Sequence, residues 1–467
     1  MAERKPVEDL ADPVAAFLVA ACVPRQGGHA EGSLEQAEMI LRRYPEVRRA
    51  SVFAAAVLGD EAGLREFVVE DARSATAKGG PYGWDALTHL CFSRYLRIER
   101  QRSEEFLRAA RLLLDAGASA ATGWYETMEF PAPHLESKSV EFESALYGAA
   151  AVAQNAELTR LLLEHGADPN DAETAYHVAE SYEHAALRVL LESGKFNAES
   201  LVTLLVRKAD VHDVAGMRMV LEFGGDPNWT PMWGATALLH ALLRDNRVTM
   251  MELLLDFGAD FAVRSPRYGM TGFEIAARRG RGDVLEMLER RGVELQLGTV
   301  DRVIAACARG IRIEGQPAIR KAIAADGGRL LSDFGGNGNA LGVKCLLELG
   351  ARPDAVYGPI GDGYWDLTPE SRPLHVAAWR GWPAVVKELI AAGAPVDARD
   401  GKGRTVLMLA VKACVASYWM ERRTPESVAA LLAAGATVDG VKVPCGYEEV
   451  DGWLRRYGAA GEAMLKE

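Results

Sequence analysis

His134 and Glu136, in the stretch EFPAPHLES, put an imidazole two residues from a carboxylate, with Glu129 just upstream. An imidazole that titrates near neutral pH beside a displaced carboxylate is a plausible general acid–base pair. A second polar stretch, GPIGDGYWDLTPES at 358–371, carries Asp362 and Asp366 on either side of Tyr364 and Trp365, with Glu370 following. His134, Glu136, Asp362 and Asp366 are therefore the candidate catalytic residues of a His/carboxylate cleft. The condition is that the fold unites two stretches more than 200 residues apart. The plainer role of these acidic residues is to form turns or to solvate a helix start, and their functional role would be to receive a basic or hydroxyl-rich partner.

Large aromatic side chains gather in the same kind of segment. Trp84, Trp124, Tyr125, Trp229, Trp233, Tyr268, Tyr364 and Trp365 all precede helix entrances or stand in long loops. Each offers a broad apolar body with a polar handle, so it either pins a loop to the scaffold or anchors a ligand. As a group they read as ligand-binding residues lining a peptide or small-molecule cleft. Arg264 and Arg267, around Pro266 and Tyr268, could pair a carboxylate or simply contact neighbouring acidic fingers.

Other chemistries find little support. The chain lacks HExxH, GxSxG and a complete phosphate loop, and DFGGNGNALG at 333–342 reads as a flexible glycine-rich turn without the required lysine. The six cysteines, at 22, 91, 307, 345, 414 and 445, form no CxxC pair. They read as small buried hydrophobes in a reducing compartment. His177 and His184 are seven residues apart, which helical geometry explains without a metal. No metal and no cofactor is expected. A net charge of -12 without a basic run argues against phosphate-backbone binding, hence against nucleic acid as partner. No signal peptide or membrane span is apparent, so a cytoplasmic location is expected.

The elements that must position these residues repeat. RLLLEHGADPN, RMVLEFGGDPN, MELLLDFGAD, CLLELGARPDA, KELIAAGAPVD and AALLAAGATVD each end a leucine-faced helix with a glycine. Gly224, Gly258 and Gly292 lie 34 residues apart. A second pattern opens the units: TAYHVA, TALLHALL, TGFEIAARRG, RPLHVAAWRG and TVLMLAV. Polar turn, short helix, longer helix and glycine stop thus recur, and such units gain a core only by stacking.

These segments resemble the ankyrin repeat family, with its unit of about 33 residues and TPLH-like opening. The nearest matches are Thr174–His177 and Arg372–His375, which depart from the family pattern at Ala175 and Arg372. The resemblance covers nearly the whole chain. It implies an all-α, ankyrin-like helical repeat solenoid of about 11–12 helix pairs with irregular finger loops. It also implies structural, hydrogen-bonding roles for His177 and His375. The expected organisation is an atypical helical cap over 1–50, repeats over 51–293, irregular repeats with a bend over 294–340, repeats over 341–442 and a terminal cap over 443–467.

The fingers between units are irregular. Glycine stop to next entrance is 12 residues from Gly224 to Thr236, 13 from Gly258 to Thr271, but 22 from Gly350 to Arg372. A second long finger spans 119–142. On this reading the chain is a binding scaffold whose concave-side aromatic and acidic fingers recognise a protein or peptide. The alternative is a small-molecule binder, or an unusual enzyme on the same scaffold. The oligomeric state stays open.

Overall fold

A computed structural model describes residues 10–23, 32–129, 138–231, 234–314, 317–358, 361–363, 365–417 and 419–458. The protein is an all-α helical repeat protein, with 26 α-helices among these residues and one two-stranded hairpin. It divides into two compact units. The first comprises residues 1–240 and 256–258, the second 241–255 and 259–467.

Helix entrances follow from local chemistry. Ser51, Asp60, Asp85, Asn155, Asn197, Asp213 and Asn339 each accept a hydrogen bond from the backbone three residues on. These side chains satisfy amides that have no partner within the helix. Thr271 and Glu274 form a reciprocal capping box at the start of Gly272–Arg278. Exits depend on backbone conformation. Gly258 has φ +85°, and a Cβ there would meet nothing within 4 Å, so conformation and not space requires glycine.

In the first unit, successive pairs include Val52–Val57 with Glu61–Glu70, Glu173–Val178 with Ala185–Glu192, and Ala198–Asp210 with Val214–Glu222. Leu64, Leu190 and Val220 on these helices are fully buried. In the second unit, Gly327–Gly336 packs on Pro373–Trp379, which packs on Val406–Ala416. The partner helices Ala340–Glu348, Pro383–Ala391 and Glu426–Ala433 stack in the same order. Residues 294–340 contain three helices: Thr299–Ala308, Pro317–Ala325 and Gly327–Gly336.

Two segments differ from the sequence-based expectation. The finger at 119–142 contains β1 (Gly123–Glu129) and β2 (Lys138–Ser144), paired antiparallel with Tyr125 opposite Phe142 and Trp124 opposite Glu143. Its residues alternate between two faces, the period-two pattern of a strand. Gly123 is required by proximity, because a Cβ there would lie 2.2 Å from the Glu143 carbonyl. The DFGG segment is likewise not a turn. Asp333–Gly336 completes a helix, and its glycines let that helix approach Val376 and Val385 closely. No helix among the described residues is long and apolar enough to cross a membrane.

Candidate functional site

In the first unit the aromatic residues form a graded assembly from interior to surface. Trp84 is buried and stacks between Tyr82, at 4.4 Å, and Trp124, at 4.2 Å. Phe92 packs edge-on against Trp124, and His89 against Trp84. Burial lowers the His89 pKa to about 4, so its imidazole is neutral. Trp124 thus anchors β1 to the helical body. The other face of the hairpin looks outward: Tyr125 is 73% exposed, stands 5.0 Å from Phe142, and neighbours the exposed Val140. Trp229 is 46% exposed on the finger that follows Gly224.

The inward face of the hairpin is acidic. Glu141, Glu143 and Glu173 bring ligand-type oxygens within 4.8 Å of one another. His177 lies 3.1 Å from Glu173 and 3.2 Å from Glu180. Burial opposes its charge, but those two hydrogen-bonded carboxylates outweigh it and push the imidazole up to about 9. His177 is therefore a cation at neutral pH and answers part of the acidic charge. Its partners are carboxylates, a different arrangement from that of His375. Nearby, burial raises Asp171 to about 6 despite its bonds from Ser144 and Thr174.

In the second unit the long finger folds inward. Asp362 and Leu367 exchange backbone hydrogen bonds of 2.9 Å, and Tyr357 donates its amide to Ser371 at 2.7 Å. Trp365 is 6% exposed, packed with Tyr357, Leu367 and Val376. Its carbonyl accepts from Trp379 Nε1 at 3.2 Å. Asp366, at φ +56°, forms ion pairs with Lys402 and Arg404. Burial works against ionisation, yet these cations hold its carboxyl at about 2, so it is a fixed anion and a poor proton donor. His375 takes a hydrogen bond from the Arg372 amide and gives one to the Ala398 carbonyl. Burial lowers its pKa to about 4. Tyr268 is 40% exposed on its finger, with the Arg267 guanidinium 5.4 Å from the ring. Arg264 pairs with Glu274 at 3.2 Å. His134, Glu136, Trp233 and Tyr364 lie outside the described residues.

Beneath this finger is an ionic hub that the sequence reading did not single out. Asp245 accepts from Arg279 Nε and Nη2, both at 2.7 Å, from Arg380 Nη2 at 2.8 Å, and from Asn337 Nδ2 at 2.9 Å. Arg279 also reaches Asp333 at 3.3 Å. Burial disfavours the Asp245 charge, but Arg279 and Arg380 hold its carboxyl well below the usual carboxylate range. Burial leaves Asp333 above that range. Arg279, Asn337 and Arg380 each immediately precede a glycine with positive φ, in the turn between two paired helices. Asp245 has φ +55° in the equivalent turn. The available signal was a polar residue in each such turn, before the glycine in three of them and in its place in the fourth. Its convergence on one carboxylate is a tertiary fact.

Together these arrangements offer ion pairs, aromatic faces and fixed charges. Comparison with known proteins agrees with the repeat pattern. The family model described as ankyrin repeats (many copies) matches residues 239–289, and that for the ankyrin repeat matches 143–175 and 372–401. The ankyrin repeat and KH domain-containing protein mask-1 of Caenorhabditis elegans is 26% identical over 231 residues, covering 45% of this chain. The match spans 8% of that relative's length. Among solved structures, the human ASB11 ankyrin repeat domain is 22% identical, with 56% of this chain and 96% of that one covered and a TM-score of 0.26. The ankyrin repeat domain of Bcl-3 is 19% identical, covers 55% and 97%, and gives 0.25.

Proposed function

Because the chain belongs to the ankyrin repeat family, we propose that it is a binding scaffold that recognises a protein or peptide through aromatic and acidic finger loops. The repeats supply a fold generally used for that purpose, while the contact residues follow from exposure. The observation that carries the reading is the outward face of the hairpin, where Tyr125, 73% exposed, joins Phe142 and Val140. Exposed aromatic rings with few rotatable bonds are low-entropy anchors for a partner. Trp229 and Tyr268 serve as further anchors on their own fingers. Trp84, Trp124 and Trp365 act from within, holding the loops in shape. A reducing compartment suits the buried thiols of Cys22, Cys91, Cys307, Cys345 and Cys414.

Panning a random peptide library against the purified chain tests this, with Tyr125→Ser, Trp229→Ser and Tyr268→Ser as single variants. Selected peptides should bind the wild type and lose affinity for at least one variant whose thermal unfolding is unchanged. Peptides that bind all three variants as tightly as the wild type would remove the exposed aromatics from the site. Failure to select any peptide, with a stoichiometric small molecule co-purifying instead, would overturn the protein-binding reading.

A further inference from the structure

Arg380 and Arg422 are held against a single indole. The Arg380 Cζ lies 4.4 Å from the Trp419 ring centroid, and that of Arg422 lies 5.4 Å from it. Other rings fix them further: Trp365 is 3.9 Å from the Arg380 Cζ, and Trp382 is 4.2 Å from that of Arg422. The Trp382 indole is itself anchored, donating from Nε1 to the Gly336 carbonyl at 2.8 Å. Two like charges are thus held at one indole, near enough that the charge of Arg380 bears on Arg422.

Their compensation is incomplete. Arg380 shares Asp245 with Arg279. The carboxylate paired with Arg422 is Glu421, 3.9 Å away and beyond hydrogen-bond distance, and Glu421 is also 3.9 Å from Arg247. Burial and the charge of Arg380 lower the Arg422 pKa to about 10. Arg380 Nε and Arg422 Nη1 are both buried without a hydrogen-bond partner among the described residues. Buried donors of this kind ordinarily find an acceptor. One anion would answer both the open N–H groups and the mutual repulsion.

We propose that Arg380, Arg422 and Trp419 form a binding site for an oxyanion, a carboxylate or phosphate group. Arg422 provides the approach from solvent, with its side chain 24% exposed, and Arg247, 82% exposed, adds positive charge at the rim. Guanidinium forks match the geometry of these anions, and the indole walls keep the forks from collapsing onto other partners. The site is independent of the peptide-binding reading, since it rests on arginines and a half-buried indole and not on the exposed aromatic anchors.

The test titrates inorganic phosphate, and separately acetate, into the full chain at constant ionic strength set with chloride. Tryptophan fluorescence reports the indoles, and the thermal midpoint gives a second reading. Saturable binding of either anion is expected, about tenfold weaker in Arg422→Gln and only partly recovered in Arg422→Lys, which keeps charge without the fork. Arg312→Gln, at an exposed pair with Glu348 elsewhere in the unit, should bind as wild type does. Phosphate alone binding assigns the site to phosphoryl groups, and acetate alone to carboxylates. No saturable response to either anion, or equal affinity in wild type and both Arg422 variants, overturns the proposal.

Discussion

Replacing Asp245 by asparagine keeps the shape of the hub and removes its central charge. Three of the four bonds reaching the carboxylate come from two guanidiniums, those of Arg279 and Arg380, and these two side chains and that of Asp245 are nearly inaccessible. A hydrogen bond to a charged group contributes about 1.5–3 kcal/mol net, so the three together set a ceiling of about 4.5–9 kcal/mol. Asparagine retains one oxygen acceptor, and the desolvation of Asp245 itself is relieved. The expected loss is therefore about 3–5 kcal/mol, the range for breaking a buried ion pair from one side. Urea unfolding followed by tryptophan emission measures it, because Trp365 and Trp419 stand against Arg380. Glu348→Gln, at an exposed pair with Arg312, is the control and should cost less than about 1 kcal/mol. The sign with pH is fixed by the depressed folded pKa of Asp245. Its contribution is complete above the unfolded value of about 3.9 and declines as pH falls below that, towards the folded value. The difference between wild type and variant should therefore stay constant from about pH 8 to 5 and shrink only under stronger acid. A loss for Asp245→Asn no larger than that for Glu348→Gln would refute the hub as a stabilising element.

His177, raised to about 9, should titrate with that midpoint by NMR. It stabilises the first unit fully below the unfolded value of about 6.5, and that stability is lost as pH rises through 9; His177→Gln should abolish this alkaline dependence. Trp365→Ala should lower the urea midpoint by an amount equivalent to about 3–5 kcal/mol, as for other buried aromatic truncations, whereas Tyr125→Ser should change stability by less than about 0.5 kcal/mol. Gly258→Ala should cost about 1–2 kcal/mol through its left-handed backbone alone, measured by the same unfolding, because no atom obstructs the added methyl.

The repeats were legible because their signals are local and recur. A cap residue at the entrance and a left-handed glycine at the exit mark each helix, and the 34-residue spacing of Gly224, Gly258 and Gly292 marks the array. The hairpin was less visible, since each strand is seven residues long and the alternation in one such stretch resembles many loops. At Asp333–Gly336, glycine's poor helix propensity suggested a turn, and tertiary packing against Pro373–Trp379 overrode it. The candidate site was legible in residue type and not in direction. Trp365 and Tyr125 both occupy long fingers, yet one ring is enclosed and the other faces solvent. Asp245 and Arg380 are 135 residues apart, and each alone is an ordinary polar turn residue.

That enclosure changes what the enlarged finger can do. Ordering some ten extra residues costs about 1–2 kcal/mol of backbone entropy for each, so an insertion of this kind persists in one shape only if something fixes it. Here the Asp362–Leu367 bridge closes its tip, Trp365 enters the cluster with Tyr357, and Asp366 is tied to Lys402 and Arg404 of the next finger. The fixing points lie in consecutive repeats, so the finger moves with the scaffold. A partner meeting it need not order the loop again, and its affinity is reduced less by that entropy. In the proposed binding role the buried rings act indirectly, by holding the loop in one shape.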